Sequence, residues 1–316
     1  MGGFVDNKRI DIFYDQVDKA CMILYNELKI DYIKALTRVS RDLVHELDEM
    51  GLSDEAITDL NDIYNYLRSI SFFNEEIRLA LQLLIIKGFK HVGYSLDLMT
   101  PDSIGYIIAY MITKLCPYPI DILDTSIGTG NLLNAIMNYP EIEVLEAIGI
   151  DNDLDLVNLC ASTSDLMNSG IKVYYQNAIS PIVDTVDIVV GDLPASLVPE
   201  QDGYNYSPYL IMKERLSNLR DGGYFIYLIN NDFFSYPNSP KFKQEIESEC
   251  TLLGLFVLDN SMFKENTVGK SILVGVKDKL DSFDMLVQMV RFDKEEEIQK
   301  LLNAIEKWIN KFRRKY

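Results

Sequence analysis

From Ile120 onward, short β-branched runs alternate with helix-length segments, and this alternation constrains the fold more than any other feature of the chain. "IDILDTS", "EAIGID", "KVYYQNA" and "VDIVVGD" follow one another with such segments between them, and "GGYFIYLIN", "LLGLFVLD" and "KSILVGVKD" come later. Strands separated in this way imply parallel βαβ units, whose helices cover both faces of a doubly wound sheet. "DNDLDLVNLCASTSDLMNS" reads as a crossover helix. "DKEEEIQKLLNAIEKWINKFRRKY", acidic at its start and basic at its end, reads as one terminal helix.

Up to about residue 90 the pattern is helical instead. Apolar residues recur at three- and four-residue intervals in "FYDQVDKACMILYNELKIDYIKALTRVSRDLVHEL", and no glycine or proline falls between Gly3 and Gly51. Ser53 is a candidate N-cap, with Asp54 and Glu55 in the first turn behind it. The expected organisation is an all-helical N-terminal domain over 1–95 and an α/β domain over 96–316. The helical part suits docking a partner, covering a ligand mouth or forming a homodimer, and its plainest role is to pack on the sheet edge.

The formal net charge of −18 bears on partners. Affinity for nucleic acid comes largely from Lys and Arg neutralising phosphates, so an acidic chain repels DNA unless a basic patch is concentrated somewhere. The candidate patch is "KWINKFRRKY", which reads more simply as a helix end complementing its own dipole. No apolar run approaches the ~20 residues that span a bilayer. The start lacks a signal-peptide pattern, so the expected compartment is the cytoplasm. Cys21, Cys116, Cys160 and Cys250 are far apart and read as buried reduced thiols, and His45 and His91 have no ligand residues beside them. No metal site is expected.

"DILDTSIGTGNLL" joins the first strand to a helix through Gly128-Thr129-Gly130, where an open α/β sheet binds its ligands. A dinucleotide loop would put glycine at Leu133. A phosphate-cradling P-loop fails too: Gly269-Lys270-Ser271 lacks its first glycine, Lys264 standing there, and the triplet opens a strand. The reading that fits is an S-adenosylmethionine site of the class I methyltransferases, in which Asp124 would meet the ligand's ammonium. Asp151, 21 residues past Gly130, would accept hydrogen bonds from the ribose hydroxyls.

Over nearly its whole length the chain resembles the N-6 adenine DNA methyltransferases, in the arrangement of restriction-modification methylase subunits. "LMTPDSIGYIIAYMI" resembles the family's Thr-Pro motif, "LDTSIGTGNLL" its glycine loop, "GIDND" its ribose-acid strand and "YQNAI" its adenine-ring loop. The resemblance implies a Rossmann-like class I methyltransferase sheet behind an all-helical N-terminal domain. S-adenosylmethionine would be held by Thr100, Pro101, Asp124, Gly128, Gly130, Asn131, Leu132, Asp151, Asn152, Asn177 and Ala178. Thr100 and Pro101 would line its methionine end, and Asn177 would meet the adenine amine.

The chain departs from the family at "VDIVVGDLPASLVP", where Asn/Asp-Pro-Pro-aromatic is usual. On the resemblance, the catalytic positions are Asp192 as side-chain acceptor, Leu193 through its carbonyl and Pro194 as the stiff turn. Ala195 supplies no ring. Base–aromatic stacking is worth ~1–3 kcal/mol and flipping a paired base costs a few, so the loss argues against duplex adenine as acceptor. Tyr204 or Tyr206 in "PEQDGYNYSPY" could fold back to cap a planar substrate, or be ordinary loop and helix-start aromatics. Two functions stay open: a methyltransferase acting outside duplex DNA, on RNA, a protein side chain or a small molecule, and a non-catalytic scaffold or cofactor sensor.

Overall fold

A computed structural model describes residues 5–259, 268–280, 283–291 and 295–315. The N-terminal helices are α1 (Asn7–Leu28), α2 (Tyr32–Val44), α3 (Asp54–Arg68) and α4 (Asn74–Val92). Asp6, Asp31 and Ser53 cap the first three, their side-chain oxygens accepting from the backbone N–H groups of Lys8, Lys34 and Ala56. These caps satisfy donors that a helix start otherwise leaves open. The three- and four-residue spacing of Phe13, Val17, Cys21 and Leu24 becomes the buried stripe of α1.

Beyond residue 96 the elements run α5 (Asp102–Leu115), β1 (Ile120–Asp124), α6 (Asn131–Met137), β2 (Val144–Asp151), α7 (Leu154–Leu166), β3 (Ile171–Tyr175) and β4 (Val186–Asp192). A small hairpin follows, β5 (Leu197–Gln201) with β6 (Tyr204–Tyr206), and then α8 (Ser207–Leu216), β7 (Leu219–Asn230), α9 (Ser239–Ile246), β8 (Thr251–Leu258), β9 (Lys270–Val276), β10 (Leu286–Val290) and α10 (Glu295–Lys315). The main sheet has the order β10-β8-β9-β7-β4-β1-β2-β3. Its pairs are parallel except at β9, which runs antiparallel to both β7 and β8. The parallel βαβ units expected from the sequence thus make up most of the sheet, and β9 departs from them. Only residues 259–269 join β8 to β9, fewer than the dozen or more that a parallel crossover needs.

Both faces of the sheet are covered, which is why its strands read as near-continuous apolar runs. Ile122, Ile188 and Val190 pack on one side with α5, α6 and α10. Leu123, Val189 and Tyr227 pack on the other with α8 and α9. The N-terminal helices build a third core, which also takes in Leu156, Leu159 and Met167 from α7 and its C-terminal turn. The expected division at 95/96 falls in the connector between α4 and α5, and this core crosses it. The four cysteines are buried, and none is in a disulfide among the described residues. The basic side chains from Lys311 onward lie outside the described residues.

Candidate functional site

The parallel register brings the carboxyl ends of β1, β2 and β4 together, with Asp124 beside Gly149 and Val190. Asp124, Asp151 and Asp192 therefore end three neighbouring strands, and a cavity of about 690 Å³ opens over those ends. The glycine loop forms one wall. Gly128 and Gly130 have φ of 51° and 78°, left-handed values that cost a side-chain-bearing residue about 1–2 kcal/mol. A Cβ at Gly130 would also meet Cys160 Sγ at 2.8 Å. Gly130→Ala is therefore expected to lower unfolding free energy by roughly 2 kcal/mol or more, read from urea melts. A loss below about 0.5 kcal/mol would show that the loop relaxes freely.

Asp151 fastens this loop. Its Oδ2 accepts from the Gly128 N–H at 2.8 Å and its Oδ1 from the Asp153 N–H at 2.9 Å. Burial pushes its pKa up, with those backbone donors opposing the rise. Asp124 is more enclosed, at 1% exposure. Its Oδ1 accepts from the Ser126 N–H at 3.1 Å, whereas Oδ2 is buried without a partner among the described residues. Burial first, and then the nearby charges of Asp151 and Asp192, raise its pKa to about 7 against the pull of the Ser126 N–H.

The far wall belongs to Asp192. Lys270 Nζ, from the first residue of β9, donates to Oδ1 at 2.6 Å and Oδ2 at 2.7 Å. Thr100 Oγ1 donates to Oδ2 at 3.2 Å, and Ser126 Oγ donates to the Asp192 backbone carbonyl at 2.9 Å. Burial raises the Asp192 pKa, and the Lys270 charge and the Lys270 and Thr100 hydrogen bonds counter it. In the next turn the Leu193 N–H donates to the Leu228 carbonyl at 2.9 Å, and the Pro194 carbonyl accepts from Ser207 Oγ at 2.6 Å.

A buried ion network ties this wall to the helical half. Arg78 of α4 is 3% exposed; its guanidinium forks onto both oxygens of Asp102, at 2.9 and 2.8 Å, and both of Glu75, at 2.9 and 2.7 Å. It also donates to Asn131 Oδ1 at 3.1 Å, while Asn131 Nδ2 donates to the Thr100 carbonyl at 2.6 Å. Asn131 and Thr100 are thus held by a residue far upstream in the chain.

Of the residues expected at the site, Thr100, Gly128, Asn131, Leu132, Asp151, Asn152, Asn177, Ala178, Asp192, Leu193 and Pro194 line the cavity. Asp124 and Gly130 are buried and lie behind the lining. Pro101 is exposed as the N-cap of α5 and does not line the cavity. Asn177 Oδ1 accepts from the Ile179 N–H, closing a local turn. The suggestion that Tyr204 or Tyr206 caps a substrate is overturned. Both are 1–2% exposed in the core beneath α8, where Tyr206 stacks on Tyr236 at 3.7 Å. Their apolar rings are the bulk that the β5–β6 hairpin buries. Among the described residues no aromatic ring lines the cavity.

Lys270 was missed, because sequence reading met it only inside the rejected Gly269-Lys270-Ser271 triplet. Ser126 sits at an unspecified position inside the glycine-loop motif, and Arg78 belongs to no motif. The hairpin did carry a signal, the Asp202-Gly203 pair, whose φ values of 53° and 83° are those a tight hairpin turn requires.

Residues 11–89 match the family described as the YtxK N-terminal helical domain. The uncharacterized protein YtxK of Bacillus subtilis (strain 168) is 27% identical over 265 residues, 79% of this chain and 80% of that protein. Among solved structures, a candidate class I S-adenosylmethionine-dependent methyltransferase from Listeria monocytogenes superposes with a TM-score of 0.83 at 28% identity, covering 96% of this chain and 100% of that one. The methyltransferase subunit of a type I restriction-modification system from Streptococcus thermophilus superposes with a TM-score of 0.63 at 13% identity, covering 94% of this chain and 74% of that one.

Proposed function

We propose that this chain, which has the fold of the class I methyltransferases and of restriction-modification methylase subunits, binds S-adenosylmethionine and transfers its methyl group to a nitrogen or oxygen acceptor outside duplex DNA. The observation that carries this reading is the convergence of Asp151, Asp192 and the glycine loop on one cavity, with Asp124 buried directly behind its lining. The residues present fit the cofactor: Asp151 keeps lone pairs for the ribose hydroxyls, since a carboxylate offers about four acceptor sites, and the partnerless Asp124 Oδ2, buried behind the lining, would supply the negative charge that favours an ammonium on the loop side. Asn152, Asn177 and Ala178 would flank the adenine ring, and Gly128, Asn131 and Leu132 the methionine end.

Bound S-adenosylmethionine supplies a methyl group already activated by its sulfonium charge, so the protein's task is to place the acceptor in line with it. The Asp192 side chain would stand at the acceptor position and the Leu193 carbonyl would accept a hydrogen bond there, while Pro194, anchored by Ser207, keeps the turn fixed. Ala195 in place of the usual aromatic residue and the net charge of −18 support an acceptor other than a flipped duplex base.

Isothermal titration calorimetry with S-adenosylmethionine and S-adenosylhomocysteine tests the cofactor. An arriving ammonium favours the ionised Asp124 carboxyl, whose pKa in the free protein stands at about 7. Binding then releases a proton below that pH, and affinity is expected to rise roughly eightfold from pH 6 to pH 7.5. Asp124→Asn should bind more weakly and lose this rise. Absence of binding by folded protein, or a pH-independent affinity, would count against the cofactor or against Asp124 respectively. Labelled-methyl transfer to RNA and single-stranded DNA then tests the acceptor.

A further inference from the structure

Asp192 is already occupied. Both of its side-chain oxygens are engaged by one ammonium, that of Lys270, and one of them also by Thr100. Lys270 is the only Lys or Arg among the described residues that line the cavity, where Asp97, Asp151, Asp153 and Asp192 are the acids. Its place follows from the topology: β9 runs antiparallel beside β7, so its first residue sits opposite Asn230 at the carboxyl end of the sheet. From there the side chain reaches across the end of β7 to β4.

An amine acceptor would meet Asp192 as Lys270 does, by pointing N–H donors at its oxygens. A neutral exocyclic amine offers uncharged donors, whereas Lys270 offers charged ones, so only the lysine adds a net charge–charge attraction to its hydrogen bonds with the carboxylate. The lysine is also tethered, so it competes without a loss of translational freedom. Resting on the cofactor reading above, we infer that Lys270 is a specificity-determining residue, whose ammonium holds the acceptor-amine position on Asp192 and excludes incoming amines from it.

Sinefungin tests this without any acceptor. It carries an aliphatic amine, protonated at neutral pH, where S-adenosylmethionine carries its methylated sulfonium, and S-adenosylhomocysteine carries an uncharged thioether there; this ammonium competes for Asp192 against one that is tethered and repels it. In the wild-type chain Lys270 denies Asp192 to that amine, and the two ligands are expected to bind within about threefold of each other. In Lys270→Gln, which keeps a neutral donor beside Asp192, and in Lys270→Met, sinefungin is expected to gain roughly tenfold or more over S-adenosylhomocysteine. Affinity for S-adenosylhomocysteine should stay within about twofold. Lys270→Arg should restore the wild-type ratio, and Lys270→Gln/Asp192→Asn, which leaves no buried unpaired charge, should abolish the gain. A purely structural role for Lys270 would weaken both ligands together and leave their ratio alone. That result, or an unchanged ratio in the Lys270→Gln chain, overturns the inference while the cofactor reading stands. If the folded wild-type chain binds neither ligand, both fall.

Discussion

Asp151→Ala is expected to weaken S-adenosylmethionine and S-adenosylhomocysteine alike, by about 100-fold or more. The carboxylate has two tasks that alanine cannot share. It holds the glycine loop through the Gly128 N–H at 2.8 Å and the start of the following turn through the Asp153 N–H at 2.9 Å. On the proposed reading it also receives the ribose hydroxyls. Hydrogen bonds to a charged group contribute about 1.5–3 kcal/mol each, so losing two gives at least 3 kcal/mol, which is about two decades in affinity. Asp151→Asn keeps one acceptor oxygen and should lie between the two. Calorimetric titration of the three proteins reads the series directly. Near-normal affinity in the alanine variant would mean that β2 does not deliver the ribose contact.

The largest effect on stability is expected at Arg78. Replacing it with methionine leaves Glu75 and Asp102 without their counter-ion in a partly buried site, and breaking such a pair costs about 3–5 kcal/mol. Lysine cannot reproduce the double fork, so Arg78→Lys should also lose a large part of this. The acid side of the stability curve should change as well. Burial pushes Glu75 and Asp102 up, but Arg78 outweighs it and holds both below the usual carboxylate range. A depressed folded pKa gives stability that is present above the unfolded value, near 4, and is lost as the pH falls through the folded one. Arg78→Met removes that contribution and should flatten or invert the rise in stability between pH 3 and pH 6. Urea melts across this range check it; a loss below about 1 kcal/mol at pH 7 would reduce the network to ordinary surface pairing.

The α/β character of the C-terminal part and the helical character of the N-terminal half were legible because each is written locally. Ile122 and Leu123, or Ile188 and Val189, face opposite covered sides, which forces β-branched apolar runs that few other structures need. The spacing from Gly130 to Asp151 is likewise a local pattern. What stayed hidden depends on pairs distant in the chain. Lys270 meets Asp192 across 78 residues, and Arg78 meets Asn131 across 53, with no periodicity to announce either contact. The reversal of β9 escaped because an apolar run buried on both faces reads the same in either direction. Tyr204 and Tyr206 misled for another reason: a tyrosine in a loop-like stretch has an apolar body large enough to be core, and only the packing around Phe233 and Phe242 decides that it is.

The shared core under α7 has a bearing on how the chain comes into being. Translation delivers the four N-terminal helices first, yet the apolar surface they offer to Leu156, Leu159 and Met167 stays uncovered until α7 has left the ribosome. By then β1, the glycine loop and β2 have already been made, because α7 follows them directly. Completing the helical core and fixing the helix that carries on from Asp151 are therefore one event in the life of the nascent chain. A truncation starting at the connector would remove the surface against which α7 docks.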